Sequence, residues 1–250
     1  MEAQRPSVYK PVYSSGSGPV YSGGSGRIRV RNQGAKREKE IVNPNRLRII
    51  AGTAKGKKID SPDVYLRPMM AKVREAVFST LDFIGVFQGN TTRVLDMFAG
   101  SGSVGLEALS RGAAHCTFVD LAENCIETCH LNSKSCGFDS RVTSVCARAE
   151  DVLTNPAQYN LDQPYRLISI TPPYQEVVYK ELIDAVCNSP LVAPDTIVVI
   201  EYPEEMGSLP PILGEDKLFG VRNRRYGRTI LGIYVYRPSE SIDMRPAEFC

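Results

Sequence analysis

Between residues 93 and 202 the chain repeats one pattern, in which a short apolar run is followed by a stretch with apolar residues at helical spacing. The apolar runs predict strands, and the stretches between them predict helices. This alternation is typical of a parallel sheet that carries helices on both faces. The strands are predicted at 93–98, 115–120, 141–146, 166–170 and 196–202, and the helices at 103–110, 122–135, 149–154 and 175–187.

After residue 202 the pattern changes to two consecutive strand-like segments, near 217–223 and 228–236, around the turn Arg225-Tyr226-Gly227. Two strands joined by a short turn form an antiparallel hairpin. With the five strands upstream they make seven. We therefore predict an α/β fold, with a seven-stranded Rossmann-like sheet that ends in an antiparallel hairpin.

Two smaller elements precede the repeating pattern. Residues 46–59 alternate weakly and contain glycines, which predicts a short hairpin with basic residues on one side. Arg67-Pro68 then predicts the start of a helix, with Pro68 in the first turn, where its missing N–H costs nothing. Apolar residues follow at helical spacing, namely Val73, Val77, Phe78 and Leu81.

The first 26 residues are of low complexity, with PVYSSGSG at 11–18 nearly repeated as PVYSGGSG at 19–26. Gly and Ser at this density bury too little apolar surface to offset the entropy of ordering, so we expect disorder. A basic, Ser-rich start is also compatible with an organelle transit segment. The predicted division is a disordered basic arm at 1–44, a folded domain at 45–238 and a tail at 239–250.

The charge of the chain is distributed unevenly. Residues 1–58 contain 13 Lys and Arg against 3 Asp and Glu, whereas residues 59–250 contain 17 against 25. A basic arm on a mildly acidic body favours a polyanionic partner, because binding to phosphates releases counterions. The alternative is a solubilising or targeting tail.

Cysteine and apolar content suggest an intracellular, reducing compartment. The seven cysteines include no CxxC pair and only two histidines accompany them, so we expect packed thiols and no metal site. No apolar run approaches the ~20 residues that a membrane span needs, and no signal-peptide pattern follows Met1. The expected location is the cytoplasm for a bacterial source, and a plastid or mitochondrion for a plant or alga.

The first candidate motif is DMFAGSGSVGLEAL (96–109), which links the first strand to a helix. Gly100 and Gly102 permit a tight turn and a close approach of the backbone to a ligand. Asp96 precedes the glycines, and a carboxylate at this place would repel a dinucleotide pyrophosphate. It suits the sulfonium and ammonium cations of S-adenosylmethionine, which is the predicted cofactor.

Asp120 ends the second predicted strand. By the logic of nucleotide-binding folds, an acid at this place accepts hydrogen bonds from ribose hydroxyls. The alternative is a helix N-cap for 122–135, a role that Asp also performs well. The neighbouring Leu121 would pack on the adenine.

The fourth predicted strand ends in ITPPY (170–174). Pro172 and Pro173 fix the backbone and supply no N–H donors, so nearby carbonyls are available to a substrate amino group. Tyr174 offers a face on which a flipped base can stack. This sequence is also common in ordinary loops, but its place at a strand end favours a catalytic motif built from Thr171 to Tyr174.

In combination these motifs resemble the RsmD family of small-subunit ribosomal RNA guanine-N2 methyltransferases, and the likeness covers about Arg46 to Pro238. It rests on FAGSG (98–102), GLEALSRGA (105–113), PPY (172–174), RIIAG (48–52), GKKI (56–59) and LRPMMAKVREAVFSTL (66–81). The resemblance implies the seven-stranded sheet of S-adenosylmethionine-dependent methyltransferases with a small N-terminal hairpin.

The motifs and the resemblance together predict roles for single residues. Those for the cofactor are Asp96, Phe98, Gly100, Gly102, Asp120, Leu121 and Glu150. Those for the target amine are Thr171, Pro172, Pro173 and Tyr174. Those for RNA are Arg67, Lys72, Arg74 and Arg225.

This chain departs from the family pattern at two places. The family usually has Asp, and related amino methyltransferases Asn or Asp, where this chain has Thr171. After the third strand the family usually offers Asp or Asn to the adenine amino group, whereas Arg148 stands here. Glu150 is the substitute that we consider.

The predicted function is methyl transfer to the N2 amino group of a guanine in small-subunit ribosomal RNA, within a ribosomal particle. Two alternatives stay open. One is methylation of adenine N6 or of a glutamine side chain, which uses a similar motif. The other is a non-catalytic RNA-binding protein of ribosome assembly that retains the fold, which Thr171 makes plausible.

Overall fold

The computed structural model describes residues 47–63, 69–174 and 177–240, and the structural statements below concern these segments. The strands are β1 (Arg93–Met97), β2 (His115–Asp120), β3 (Val142–Cys146), β4 (Leu167–Ile170), β5 (Thr196–Pro203), β6 (Ile212–Leu213), β7 (Leu218–Tyr226) and β8 (Thr229–Tyr236). The α-helices are α1 (Ala71–Phe83), α2 (Ser103–Ser110), α3 (Glu123–Cys136), α4 (Ala149–Thr154) and α5 (Tyr179–Asn188).

The strands form one mixed sheet in the order β3-β2-β1-β4-β5-β8-β7-β6. The first five pair in parallel, and β8 pairs antiparallel with both β5 and β7. From β1 the chain moves outward through β2 and β3, then returns to place β4 on the other side of β1. This reversal creates a crevice beyond the carboxyl ends of β1 and β4, where open α/β sheets bind ligands.

Two apolar layers cover the two faces of the sheet. Strand residues alternate between them, so Val94 of β1 packs with α1 and α2, while Leu95 packs with α4 and α5. Parallel strands that are buried on both faces carry near-continuous apolar sequences. This burial explains why the sequence pattern predicts five of the strands closely. The predicted α/β fold with its antiparallel terminal hairpin is confirmed.

The predicted N-terminal hairpin is present. Arg48 and Lys58 form an antiparallel bridge, and Ile49 and Ile59 are buried beneath it. The buried carboxylate of Glu107 on α2 accepts hydrogen bonds from the backbone N–H groups of residues 50 and 51, at 2.7 and 3.0 Å. The hairpin is therefore fastened to the helix that follows the glycine turn.

The predicted elements differ from the structure most clearly at three places, while several other ends shift by one residue. Helix α1 begins at Ala71, whereas the predicted start at Arg67-Pro68 lies outside the described residues. Helix α5 begins at Tyr179 rather than at residue 175. An eighth strand, β6, has two residues and pairs only with β7 at the edge of the sheet. So short a segment carries no periodicity that a sequence pattern could show.

No helix within the described residues is long and apolar enough to cross a membrane. The six cysteines in these segments carry free thiols. Within the same segments no group of three or more His, Cys, Asp or Glu side chains is arranged to hold a metal ion.

Candidate active site at the carboxyl edge of the sheet

The turn after β1 is built from left-handed backbone. Phe98, Gly100 and Gly102 have φ of 59°, 55° and 72°. This region is strained for an aromatic residue such as Phe98, and such strain is found mostly at functional sites. The turn is held by hydrogen bonds from Ala99 N to Val119 O at 3.0 Å and from Gly102 N to Ala99 O at 2.7 Å. The backbone therefore reverses tightly at the crevice.

Close packing beneath the turn requires glycine. A Cβ on Gly102 would lie 3.1 Å from both the Phe118 ring and Cys129 Sγ, and one on Gly105 would lie 2.4 Å from Cys116 Sγ. These contacts bring the start of α2 against β2 and α3. The helix therefore begins directly behind the turn.

Asp96 lies below the turn rather than in it. Its side chain is 1% exposed, and its Oδ2 accepts a hydrogen bond from Gly105 N at 2.8 Å. Asp96 Oδ1 and the buried Ser169 Oγ on the adjacent strand complete no hydrogen bond of ordinary geometry. Burial raises the pKa of Asp96 to about 7, partly opposed by the bond from Gly105. In this structure Asp96 fixes the start of α2 through its hydrogen bond from Gly105 N.

Asp120 connects the turn to the next strand. Its Oδ2 accepts a hydrogen bond from Gly100 N at 2.8 Å, and its Oδ1 accepts one from Ala122 N at 2.9 Å. The N-cap of α3 is Ala122, so Asp120 is not its capping residue. Leu121 is 66% exposed, so its side chain is accessible next to Asp120. These two residues and the turn form one continuous surface.

Thr171 brings the end of β4 to the same surface. Its hydroxyl lies 3.5 Å from the carbonyl oxygens of Met97 and Phe98, which are long contacts for a hydrogen bond. Pro172 is buried and Pro173 is exposed. The predicted cofactor turn and the predicted amine motif therefore meet at the crevice.

Tyr174 is anchored by two residues that the sequence analysis did not identify. Its hydroxyl donates to Glu201 Oε1 at 2.7 Å and lies 2.8 Å from Thr229 Oγ1. Glu201 is 7% exposed, near the end of β5, and Thr229 begins β8. The available signal was an acid near the end of an otherwise apolar strand, TIVVIEY, a place where a carboxylate needs a partner.

Comparison with known proteins identifies the family. A family model described as conserved hypothetical protein 95 matches residues 47–235. Ribosomal RNA small subunit methyltransferase D of Escherichia coli (strain K12) is 30% identical over 195 residues, which are 74% of this chain and 92% of that protein. This chain belongs to the RsmD family.

Further comparisons agree with membership of the RsmD family. YlbH of Bacillus subtilis (strain 168), provisionally named an rRNA methyltransferase, is 33% identical over 192 residues, 76% of this chain and 100% of that protein. The solved structure of yhhF from Escherichia coli, provisionally named a methyltransferase, is 26% identical with a TM-score of 0.64. The matched region covers 76% of this chain and 97% of the yhhF chain. The predicted resemblance is confirmed.

One residue that the RsmD resemblance assigned to RNA needs correction. Arg74 is fully buried, its Nη2 donates to Arg48 O at 2.6 Å, and its Nε lies 3.8 Å from Glu107 Oε2. It cannot contact RNA in this structure, because it holds the hairpin to the core. Burial lowers the pKa of Arg74, while Glu107 acts to raise it.

The other assigned basic residues have different surroundings. Lys72 is exposed on α1. Arg225 is exposed but forms an ion pair with Glu204 at 2.5 Å, and its Nε donates to Gly227 O at 2.9 Å. Arg67 lies outside the described residues. RNA contact by these three residues stays a prediction.

Both departures from the RsmD pattern can be located. Arg148 precedes α4 at the end of β3, and its Nε lies 3.7 Å from Glu150 Oε2. Glu150 is thus engaged at the crevice side of β3, and its role toward adenine stays a prediction. At the other place, the Thr171 hydroxyl can donate toward two carbonyls, which a carboxylate without a proton could not do.

Proposed function

We propose that this chain transfers a methyl group from S-adenosylmethionine to the exocyclic N2 amino group of a guanine in small-subunit ribosomal RNA. The observation that carries the proposal is the 3.5 Å approach of Thr171 Oγ1 to the carbonyls of Met97 and Phe98, which joins the amine motif to the glycine turn. The names of its relatives, ribosomal RNA small subunit methyltransferase D among them, support RNA as the substrate.

The residues around the turn fit the cofactor. The backbone of residues 98–102 would hold its amino-acid part, Asp120 its ribose and Leu121 its adenine. Leu121 is an exposed apolar side chain that such a ring would cover. Asp96 and Asp120 make the crevice favourable to a cation. S-adenosylmethionine supplies an activated methyl group when it is bound.

The amine motif can hold an amino group without taking up its proton. Thr171 donates its own proton toward the β1 carbonyls, so its oxygen lone pairs are left to accept from the amine. Pro172 has no N–H and leaves its carbonyl as a second acceptor. When both N–H groups of the amine donate hydrogen bonds to these two acceptors, the nitrogen lone pair is turned out of conjugation with the guanine ring. Positioning of this kind supplies most of the rate gain in such a reaction.

The RNA partner is supported by charge. Residues 1–58 contain 13 Lys and Arg against 3 Asp and Glu, and Lys55, Lys57 and Lys58 are exposed on the hairpin beside α2. Cationic residues of this kind bind phosphates without reading sequence. We infer that the substrate is RNA folded within a small ribosomal subunit particle.

The test uses small-subunit particles that lack methylation, incubated with the full chain and tritiated S-adenosylmethionine. We expect label in the RNA and N2-methylguanosine after digestion and mass spectrometry. Label as N6-methyladenosine, or in protein glutamine, would replace guanine N2 as the target. An absence of label, with RNA binding retained, would favour the non-catalytic assembly role.

A further inference from the structure

We propose that Glu201 is a positioning residue for Tyr174, and this inference rests on the proposed function. Glu201 is 7% exposed on β5, and its Oε1 accepts a hydrogen bond from the Tyr174 hydroxyl at 2.7 Å. Tyr174 follows the two prolines that end β4, where a target base would lie. The carboxylate therefore acts on the base through the tyrosine ring.

The number of hydroxyl protons determines which group donates in each hydrogen bond of this cluster. A tyrosine hydroxyl has one proton, and that of Tyr174 is directed to Glu201 Oε1. Thr229 Oγ1, at 2.8 Å from the phenol oxygen, must then be the donor of its own hydrogen bond to Tyr174. The far end of the ring is thus held from two sides.

Both anchors belong to rigid, paired strands. Glu201 lies opposite Leu231 on β8, and Thr229 lies opposite Pro203 on β5. A second tyrosine, Tyr179 at the start of α5, donates its hydroxyl to the backbone oxygen of Glu201 at 3.1 Å. The backbone that carries the carboxylate is therefore fixed independently of Tyr174.

The two hydrogen bonds at the phenol oxygen fix where the ring of Tyr174 points. Their directions also orient the ring plane, because a phenol O–H prefers to lie in the plane of its ring. The χ2 torsion of a tyrosine is broad when no contact restrains it, and a mobile ring must lose this freedom when a base stacks on it. An anchored ring presents its face before the RNA arrives. Glu201 should therefore affect RNA affinity and base placement, and leave cofactor binding unchanged.

The test is a double-mutant cycle of Tyr174→Phe and Glu201→Leu, with Glu201→Gln as the conservative variant. The KM for RNA, kcat, the Kd for RNA by fluorescence anisotropy and the Kd for S-adenosylmethionine by calorimetry are measured. Each breaking variant should raise the KM and Kd for RNA about 3- to 10-fold, the range for the loss of one typical hydrogen bond. The double variant should be no worse than either single one, and Glu201→Gln, which keeps an acceptor oxygen, should recover most of the affinity.

The matched controls are Glu205→Gln, on an exposed acid near β5, and Tyr159→Phe, on a half-buried tyrosine after α4. Both should behave as wild type. Additive effects, or single variants with wild-type RNA affinity, would overturn the positioning role. If Glu201→Leu unfolds by thermal melting, Tyr174→Phe removes the same hydrogen bond from the other side, and its RNA affinity still tests the positioning role.

The two proposals fail in different ways. A wild type that binds RNA with coupling between Tyr174 and Glu201, but transfers no methyl group, would refute the proposed function alone. An active wild type with additive variants would refute the positioning role alone. A wild type that binds no RNA would overturn both.

Discussion

Asp96 and Thr171 lie near the ends of neighbouring strands and have opposite surroundings. Asp96 is buried, and one of its carboxylate oxygens accepts a hydrogen bond from Gly105 N. Thr171 is half-buried at the crevice. Burial disfavours the charged form of Asp96, and a nearby cation favours it. The protonation of Asp96 is therefore sensitive both to pH and to the occupant of the crevice.

The raised pKa of Asp96 predicts a pH dependence of stability. A carboxyl with a folded pKa of about 7 and an ordinary unfolded value of 3.8 holds its proton more tightly in the folded state. Its contribution is complete below the unfolded pKa and is lost as pH rises through 7. The free energy of unfolding should fall by up to about 1.4 kcal/mol per pH unit in this window. Urea titrations should show this slope in the wild type and its loss in Asp96→Asn; equal slopes would contradict the assignment.

Thr171 predicts a change in rate rather than in binding. Thr171→Val keeps the shape and removes the oxygen that is proposed to accept the amine. Methyl transfer should fall 10- to 100-fold, which corresponds to about 1.4–2.8 kcal/mol of transition-state stabilisation. Calorimetry should show an unchanged Kd for S-adenosylmethionine. Thr171→Ser is the control and should keep most of the rate; a valine variant as fast as wild type would leave the hydroxyl without a role.

The residues of the site were predictable to different degrees. Gly100 and Gly102 stood out because glycine adopts positive φ without strain and so favours a tight turn. Arg74 was assigned wrongly, because a sequence shows a basic residue on a helix but not which face of that helix is covered. Glu201 was missed because its partner, Tyr174, is 27 residues away in the chain. Long-range hydrogen bonds leave no periodic signal.

The N-terminal hairpin depends on the helix behind the glycine turn for its position. Glu107 on α2 is fully buried and bonds to the hairpin backbone, to Arg111 Nε at 2.8 Å and, more distantly, to Arg74. Removing one partner of a buried charge network leaves the others unpaired. Elements whose bonded residues are 56 and 57 positions apart in the sequence are therefore coupled through one carboxylate.

This coupling predicts the cost of breaking it. Glu107→Ala should lower the free energy of unfolding by about 3–5 kcal/mol, because a buried guanidinium and two backbone N–H groups lose their acceptor. Denaturant titration measures the change. The control is Glu205→Ala, which removes an exposed ion pair with Arg228 and should have little effect. A small change in Glu107→Ala would show that water replaces the carboxylate.

The predicted elements were most accurate where burial on both faces fixed the pattern. Strand β2 and helices α2 and α4 have the predicted bounds. Errors fell where local sequence and tertiary contacts disagreed. Arg67-Pro68 suggested the start of α1, but the helix begins at Ala71 with no side-chain cap. A proline signal alone did not locate the boundary.

For the chain taken together, charge separates the N-terminal arm from the body. Residues 1–44 contain 8 Lys and Arg against 3 Asp and Glu. Deleting them should weaken RNA binding and flatten its salt dependence, by about 0.7 to 0.9 in the slope of log K against log salt for each lost phosphate contact. Binding curves at several salt concentrations measure this slope.

A shorter deletion is the matched control for the arm. Removing residues 1–26 takes away only Arg5, Lys10 and Glu2 among the charged residues, so the slope should change little. Thermal melting should be unchanged in both truncated proteins. An unchanged slope after deletion of 1–44 would indicate that the arm makes no phosphate contacts.

Besides its buried Ile49 and Ile59, the hairpin is held by hydrogen bonds to its main chain. Glu107 bonds to the N–H groups of residues 50 and 51, Ser110 Oγ accepts from Ala54 N, and Asn132 bonds to both N and O of Asp60. Gly52 is the exception, because a Cβ there would lie 1.8 Å from Ser110 O. Side chains elsewhere on the hairpin surface are thus largely free to vary while the backbone path is kept. A protein engineer could exchange these surface side chains to present a different surface to RNA without changing the backbone.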